Sequence, residues 1–300
     1  MKGNYMDAYH FITNHSHNVK GVMAQIYNFR FAIACKAGLT GLALQIMGEA
    51  IIGKRIWYSY QYLMEDDDLE LLRKSNEFRK LVNICKNREM EAKINEKPEL
   101  RIYLPGNMDK TVNYPLIMAL HGDQENIHIT EEYWISSIEK ECILALPQSS
   151  QVQFSEGYEW KDMEKGLLEI QVHYNKLLKN YNINRELIIV AGFSAGGRIA
   201  VYSILKDIIH VKGLVLVAPW LPEIDSWFPM IQKLKERNIS CYLVCGDKDK
   251  DCYACTIKFA EILKMKKVPY KLKILKGLDH EYPEDFKTIL QNALHYFSIF

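Results

Sequence analysis

The chain has 300 residues, of which 48% are hydrophobic and 25% are charged, and its formal net charge is +1. This length and apolar content suffice for one large or two modest domains with a packed core. The near-zero charge excludes an overall field that would attract nucleic acid or an anionic membrane surface. No apolar stretch approaches 18 residues and the start lacks the apolar region of a signal peptide, so the sequence predicts neither a membrane span nor secretion.

The cysteines indicate a reducing compartment. There are seven, an odd and scattered set, which is typical of a cytoplasmic protein with free thiols. Cys252 and Cys255 form a single C-x-x-C, but no second pair or histidine at ligand spacing accompanies them. The sequence therefore predicts no metal site.

The first 95 residues carry helical patterns only, and we predict a small helical domain over residues 1–95. Segments 18–37 and 39–53 are apolar at helical spacing. Their small and aromatic residues resemble one tetratricopeptide-like helical hairpin. The residues that carry this resemblance are Tyr27, Phe31, Gly38, Ala43, Met47 and Ala50.

Further helices are predicted before the linker at 95–98. Residues 57–62 continue an aromatic helix, three aspartates at 66–68 cap the next helix, and residues 77–93 form a charged amphipathic helix. These apolar and aromatic faces exceed what one hairpin can bury. We therefore expect the helical domain to pack against the rest of the chain, a second copy of it or a protein partner.

From Glu99 onward strand and helix patterns alternate, which favours a mostly parallel sheet with helices on both faces over residues 96–300. Short apolar runs predict strands at 99–104, 115–120, 142–146, 187–191, 211–217, 240–245 and 270–275. Helical spacing predicts helices at 130–141, 162–181, 195–206, 227–237, 254–267 and 284–297.

The pentapeptide at 192–196 reads G-x-S-x-G and lies between the strand at 187–191 and a helix-compatible segment. Strand, pentapeptide and helix together are the context of a nucleophile elbow, a strained turn that lifts a serine hydroxyl out of a sheet. Side chains at the two outer glycines would collide with neighbouring backbone. We expect Ser194 to be a nucleophile and the Ala195 N–H to face a developing oxyanion.

Two later strand ends carry the residue types that such a serine needs, in the order acid then histidine. Three aspartates, Asp247, Asp249 and Asp251, follow the strand at 240–245, and the G-x-x-D spacing favours Asp249. His280 lies in the loop after the next strand, where a general base can reach the serine. The sequence predicts that Asp249 orients His280.

The loop after the strand at 115–120 reads H-G-D-Q, residues 121–124. A glycine there permits a tight backbone, and we assign a second oxyanion donor to the Asp123 N–H, with Gln124 as the alternative. His121 precedes the serine and follows a different strand, so it is interpreted as a residue that orders the loop rather than as a base.

Aromatic residues near the predicted strand ends are candidates for a substrate pocket. Tyr158 and Trp160 end a polar segment, 148–160, that we expect to overhang the active site; alternatively, Trp160 caps the helix at 162–181. Trp220 follows another strand end, and it too is either a pocket residue or a structural residue. The full set of substrate-binding candidates is His121, Gln124, Tyr158, Trp160 and Trp220.

These motifs together resemble the α/β-hydrolase superfamily, and within it the compact phospholipase/carboxylesterase and feruloyl-esterase-type branches. The matches are L-H-G at 120–122, G-F-S-x-G-G at 192–197, G-x-x-D at 246–249 and G-x-x-H at 277–280. The resemblance covers about residues 98–300 and implies ester hydrolysis through an acyl-enzyme without a cofactor. Substrates differ widely among such proteins, so the resemblance does not identify the ester.

The predicted function is a serine esterase acting on a small-molecule ester with Ser194, His280 and Asp249. A serine peptidase or thioesterase on the same triad is the nearest alternative. The alternative from another class is a non-catalytic binding or scaffold protein that grips a partner through its helical domain.

Overall fold

The structure, a computed structural model, describes residues 4–15, 21–106, 108–109 and 111–299. These residues form two compact units. The helical unit contains the described residues up to Lys97 together with Gln124–Asn126 and Ser150–Glu159, and the sheet unit contains the remainder. The predicted domain boundary after residue 95 lies close to the first division of the chain, but the later segments of the helical unit were not predicted.

Helices and strands are numbered in chain order. The helices are α1 (Tyr5–His15), α2 (Met23–Lys36), α3 (Thr40–Gly48), α4 (Tyr60–Glu65), α5 (Asn76–Asn95), α6 (Ile127–Trp134), α7 (Met163–Asn180), α8 (Ala195–Leu205), α9 (Ile224–Trp227), α10 (Gln232–Glu236), α11 (Tyr253–Met265) and α12 (Phe286–Tyr296). The strands are β1 (Glu99–Tyr103), β2 (Tyr114–Leu120), β3 (Ile143–Gln148), β4 (Val152–Phe154), β5 (Gly157–Tyr158), β6 (Ile183–Phe193), β7 (Gly213–Val217), β8 (Ser240–Gly246) and β9 (Tyr270–Leu275).

Side-chain caps set the starts of several elements in the helical unit. The Ser59 hydroxyl accepts the Tyr62 N–H at 3.1 Å, so α4 begins after it, and the predicted aromatic helix does not include Trp57 and Tyr58. Asp66 caps a 3-10 turn, Asp67–Leu72, by accepting the Asp68 N–H at 2.8 Å. The aspartate cluster thus has the capping role that the sequence predicts.

Fully buried side chains from most elements of the helical unit form its core. They are Phe31, Met47, Ile51, Leu63, Leu69, Leu72 and Phe78. Helix α3 continues into this core as a π-helical turn, Glu49–Gly53. Whether the unit also takes a protein partner or a second copy stays a prediction.

The segment Ser150–Glu159 folds as a β4–β5 hairpin within the helical unit. Its backbone is bound to the residues before α4: the Trp57 N–H donates to Ser155 Oγ at 2.7 Å and the Ser155 N–H donates to the Trp57 carbonyl at 3.1 Å. The sequence predicts no strand in this stretch, because β4 and β5 are too short to show an alternating pattern.

The sheet unit is built on seven strands in the order β1-β3-β2-β6-β7-β8-β9. Strand β1 runs antiparallel to β3, and the other neighbours are parallel. Successive β2 residues enter opposite cores, with Met118 on one face and Ala119 on the other. Both faces of the sheet are therefore covered, as its nearly continuous apolar strands require.

Two helices of the sheet unit differ from the sequence prediction. The helix expected at 227–237 is divided into α9 and α10, because Pro229 has no N–H to continue a helical ladder. The helix expected at 130–141 begins earlier, as α6, and ends in a 3-10 turn, Ile135–Lys140. Within the described part of the chain, no helix combines the length and the apolarity needed to cross a membrane.

Two phenylalanines of α2 test the core of the helical unit. Phe31 is fully buried, whereas Phe29 is 55% exposed. We expect Phe31→Ala to lower the free energy of unfolding by about 3–5 kcal/mol through the lost burial and the cavity it leaves, and Phe29→Ala to change it by less than about 0.5 kcal/mol. Urea titration of both variants measures this difference, and equal effects would contradict the proposed packing.

Candidate active site

Ser194 occupies a strained turn between β6 and α8. Its backbone has φ 51° and ψ −120°, a conformation that L-residues rarely adopt. A Cβ built on Gly192 would lie closer than 3.0 Å to Gly196 backbone, and one built on Gly196 would lie equally close to the Leu120 and His121 carbonyl oxygens. Only glycine fits at both positions, so the two glycines permit the close approach that fixes the turn.

Ser194, His280 and Asp249 form a continuous chain of hydrogen bonds. His280 Nε2 lies 3.0 Å from Ser194 Oγ, and His280 Nδ1 lies 2.8 Å from Asp249 Oδ2. Because a carboxylate can only accept, Nδ1–H donates to it and Nε2 is left to accept the serine proton. The structure thus brings together three residues that the sequence places on three different strand ends.

Asp249 is buried and held by backbone amides. Its Oδ1 accepts the N–H of Asp251 at 3.0 Å and the N–H of Cys252 at 2.8 Å, while Oδ2 faces His280. Asp247 instead accepts the Gly277 N–H at 2.7 Å and braces the turn before the histidine. Of the three aspartates in this loop, Asp249 is the one hydrogen-bonded to His280.

Two backbone N–H groups near Ser194 are candidates for an oxyanion hole. Ala195 is the first residue of α8, where an N–H has no acceptor within the helix. The Gln124 N–H donates to the Tyr158 carbonyl at 2.7 Å inside the helical unit, so it is already engaged. Asp123 N–H stays the better candidate for the second donor.

His121 has the surroundings of a structural residue. It is fully buried; Nε2 accepts the Ser149 N–H at 3.1 Å, and Nδ1 lies 2.8 Å from the Gly122 carbonyl. Burial lowers the pKa of His121 to about 4, which keeps the imidazole neutral at pH 7. Its position agrees with a role in ordering the loop and leaves no accessible face for a substrate.

Trp160 also belongs to the core of the sheet unit. Its indole N–H donates to the His121 carbonyl at 2.9 Å, its ring stacks on His121 at 4.8 Å, and its backbone N–H donates to Asp123 Oδ1 at 3.0 Å. Only 1% of the residue is exposed. These contacts favour a core role for Trp160 over the pocket role. The predicted alternative, a cap of the following helix, is wrong, because Asp162 caps α7 by accepting the Lys165 N–H at 3.0 Å.

The other pocket candidates lie in different surroundings. Trp220 is 37% exposed, with the Arg198 guanidinium 5.0 Å above its ring, and its N–H donates to the Ser194 carbonyl at 3.1 Å. Tyr158 is in the helical unit, where its hydroxyl donates to Glu96 at 2.9 Å. Gln124 lines a cavity of about 110 Å³ in that unit.

This cavity was not predicted. Its wall is uncharged, and its residues come from α2, α4, the residues before α4 and the 124 and 150–159 segments: Gln25, Asn28, Tyr58, Ser59, Tyr62, Gln124, Gln153 and Phe154. No local sequence pattern signals it, because the four stretches of chain that line it are far apart in sequence.

Two aromatic residues beside His280 were also not singled out as site residues. Phe193 lies 4.9 Å from the His280 ring and 4.5 Å from the Tyr282 ring, measured between ring centroids. Phe193 directly precedes the serine and Tyr282 follows His280 by two residues, so proximity in sequence was the available signal. The Phe193 ring restricts where the imidazole can lie, and Tyr282 stacks on Phe193.

One group of potential metal ligands lies in the site. The donor atoms of Asp249, Cys252 and His280 are within 4.8 Å of one another. A cation bound here would replace the proton that links His280 Nδ1 to Asp249 Oδ2. Metal binding and the hydrogen-bonded chain therefore exclude each other at these residues.

Comparison with known proteins assigns the chain to a family. Residues 91–297 match the Esterase family model, and residues 1–93 match the model of the A/B hydrolase-like N-terminal domain. The chain belongs to the Esterase family. Its sheet unit has the α/β-hydrolase fold, and the N-terminal match gives no support to the tetratricopeptide-like interpretation, which is not confirmed.

Solved structures resemble the chain at both high and low sequence identity. An uncharacterized protein from Bacillus cereus ATCC 10987 is 44% identical, with a TM-score of 0.61 over 98% of this chain and 94% of that one. Acyl-protein thioesterase 2 from Zea mays is 18% identical, with a TM-score of 0.51 over 66% of this chain and 98% of its own.

Another similar structure is Est1E from Butyrivibrio proteoclasticus with bound ferulic acid, which is 15% identical, with a TM-score of 0.52 over 68% of this chain and 95% of its own. At such low identity, this likeness and that of the thioesterase show the fold alone. The search of curated proteins gave no match.

Two glycine substitutions test the elbow geometry. Gly192→Ala places a methyl group against backbone, whereas Gly48 has helical dihedrals and open space around its Cα. We expect Gly192→Ala to destabilise the protein by more than about 2 kcal/mol and Gly48→Ala to stabilise it by about 0.5–1 kcal/mol. Thermal unfolding of both variants measures these effects; a Gly192→Ala protein as stable as the parent would contradict the close packing.

Proposed function

We propose that the protein is a serine hydrolase that cleaves carboxylic esters through an acyl-enzyme. The observation that carries this proposal is the hydrogen-bonded chain Ser194–His280–Asp249, with separations of 3.0 and 2.8 Å, on a strained elbow. Membership of the Esterase family supports hydrolase activity. Within that class, the triad and the ester substrate are our proposal.

The first half of the reaction acylates the serine. Ser194 Oγ attacks the ester carbonyl as His280 Nε2 takes its proton, and the resulting imidazolium is stabilised by the Asp249 carboxylate. The same Nε2–H then protonates the leaving alcohol, and the C–O bond breaks. Because Asp249 Oδ1 is held by two backbone amides, Oδ2 stays aimed at the imidazole throughout.

The second half of the reaction frees the serine from its acyl group. Water attacks the acyl carbonyl as His280 takes its proton, and Ser194 leaves with that proton restored. In each half, negative charge develops on the carbonyl oxygen. The Ala195 and Asp123 N–H groups are our candidates for its donors, since one opens a helix and the other follows a tight glycine turn.

A thioesterase uses the same three groups, since only the leaving atom changes from oxygen to sulfur. The Zea mays thioesterase with a similar fold makes this the second candidate. Parallel assays with p-nitrophenyl esters of increasing acyl length, acyl thioesters and aminoacyl anilides separate the esterase from the thioesterase and peptidase readings. We expect the esters to give the highest kcat/KM.

Replacement of the nucleophile is the first test. Ser194→Ala should lower kcat by about 10⁴-fold or more and abolish covalent labelling by a fluorophosphonate, because it removes the hydroxyl that lies 3.0 Å from His280 Nε2. Ser226→Ala is the matched control, since this exposed serine lies outside the site and donates to the Glu223 carbonyl. Turnover and labelling of Ser194→Ala at the level of the parent would refute the mechanism.

Replacing each of two neighbouring aspartates tests which of them is the acid of the triad. Asp249→Asn should lower kcat/KM by about 10³–10⁴-fold, since an amide cannot stabilise the imidazolium or fix its tautomer in the same way. Asp251→Asn, in the same loop but exposed, should change it by less than about threefold. The ranking of the two variants by kcat/KM decides the assignment, and a larger loss in Asp251→Asn would overturn it.

A further inference from the structure

The C-x-x-C pair at 252 and 255 has no role in the proposed hydrolysis. Both thiols are free, and they lie at the start of α11, with Cys252 directly before the helix and Cys255 in its first turn. Residues three apart at a helix start have Cβ atoms roughly 5–6 Å apart, whereas a disulfide holds its Cβ atoms about 3.5–4.5 Å apart. A bond between the two sulfurs is therefore within reach, but it requires the two residues to move closer together.

Cys255 is the more reactive thiol of the two. It is partly exposed; its Sγ accepts the Leu221 N–H at 3.4 Å and lies 3.2 Å from the Pro219 carbonyl. A hydrogen bond from the Cys252 thiol lowers the pKa of Cys255 and so favours its thiolate, the nucleophilic form.

The other cysteines contrast with Cys255. Burial raises the pKa of Cys85 to about 11 and that of Cys142 and Cys245 to about 12. Cys252 is fully buried, and its pKa is also raised, chiefly by the hydrogen bond it donates to Cys255. A reagent in solution therefore reacts with Cys255 first, whereas the buried Cys252 reacts only with a sulfur atom that is already inside the protein.

The pair is joined to the proposed catalytic site on two sides. The Cys252 N–H donates to Asp249 Oδ1 at 2.8 Å. Cys255 contacts the loop of Pro219 and Leu221, and the residue between them, Trp220, donates its N–H to the Ser194 carbonyl at 3.1 Å. A bond between the two sulfurs must draw Cys255 Sγ away from that loop or move the Cys252 backbone that holds Asp249.

We propose that Cys252 and Cys255 are a peroxide-oxidisable dithiol whose disulfide displaces Asp249 from His280 and lowers hydrolytic activity. The effect on activity depends on the proposed function; formation of the disulfide does not. The site's substrate is a small hydroperoxide such as hydrogen peroxide, which acts as the oxidant.

The chemistry has two balanced steps. The Cys255 thiolate attacks one peroxide oxygen, the O–O bond breaks, and the other oxygen leaves as hydroxide, so that sulfur is oxidised to a sulfenic acid. Cys252 sulfur then attacks the Cys255 sulfur and expels hydroxide; its thiol proton and one from solvent convert the two hydroxides to water. With the proton that the Cys255 thiol lost on ionising, the sum is two thiols and one peroxide giving one disulfide and two waters.

The test uses the full chain with three readouts. Purified protein is treated with a few equivalents of hydrogen peroxide and then examined by peptide mass mapping, by ester hydrolysis and by the low-field proton NMR signal of the His280 Nδ1–H. We expect a 252–255 disulfide, at least a fivefold loss of kcat/KM, a changed low-field signal, and recovery of all three with dithiothreitol. Cys255→Ser should retain kcat/KM within about threefold and resist peroxide, whereas Cys142→Ala should respond like the parent.

Each contrary outcome has a distinct meaning. Absence of a 252–255 disulfide would overturn the proposal, and so would a disulfide that leaves the NMR signal and kcat/KM unchanged. A protein that hydrolyses no ester before oxidation would refute the proposed function instead, and the mapping and the NMR signal would still decide the dithiol. Loss of activity in Cys255→Ser equal to that in the parent would assign the inactivation to another residue.

Discussion

The close approach of the elbow to strand β2 is the contact on which the site depends. Gly196 lies against the Leu120 and His121 carbonyl groups, and Gly192 lies against Gly196 itself, at distances that no side chain permits. This packing holds Ser194 at a positive φ, an unfavourable conformation of order 1–3 kcal/mol that the surrounding sheet must offset. The turn places a half-buried hydroxyl at a fixed position beyond the strand end, 3.0 Å from His280 Nε2.

The parallel sheet brings the acid and the histidine to the edge where the serine lies. Parallel strands end at one edge, and β6, β8 and β9 each end just before one member of the Ser–Asp–His chain. Residues distant in sequence are thereby brought within hydrogen-bond distance of one another. Backbone amides then fix the acid, since Asp249 is held by the N–H groups of Asp251 and Cys252.

Much of this arrangement is predictable from sequence. All seven strands predicted after residue 98 form; the central ones, such as β3 and β7, are buried on both faces and have an apolar composition that loops lack. Motif spacing indicates the serine, acid and histidine that the structure brings together. The G-x-x-D spacing also separates Asp249 from Asp247, whose carboxylate braces a neighbouring turn instead.

Other features depend on tertiary contacts that no local pattern encodes. The β4–β5 hairpin joins the helical unit through hydrogen bonds between Trp57 and Ser155, residues about a hundred positions apart. Trp160 is buried against His121, although its sequence context fits a pocket equally well. The uncharged cavity around Tyr58 likewise requires four separated stretches of chain to come together.

The most direct test of the hydrogen-bonded chain is a double-mutant cycle between Ser194 and His280. Their side chains meet at 3.0 Å, and the proposed mechanism makes the histidine useful only through the serine. The kcat values of Ser194→Ala, His280→Ala and the double variant should then be nearly equal, each about 10⁴-fold or more below that of the parent. Losses that add up in the double variant would show that the two residues act independently and would contradict a catalytic triad.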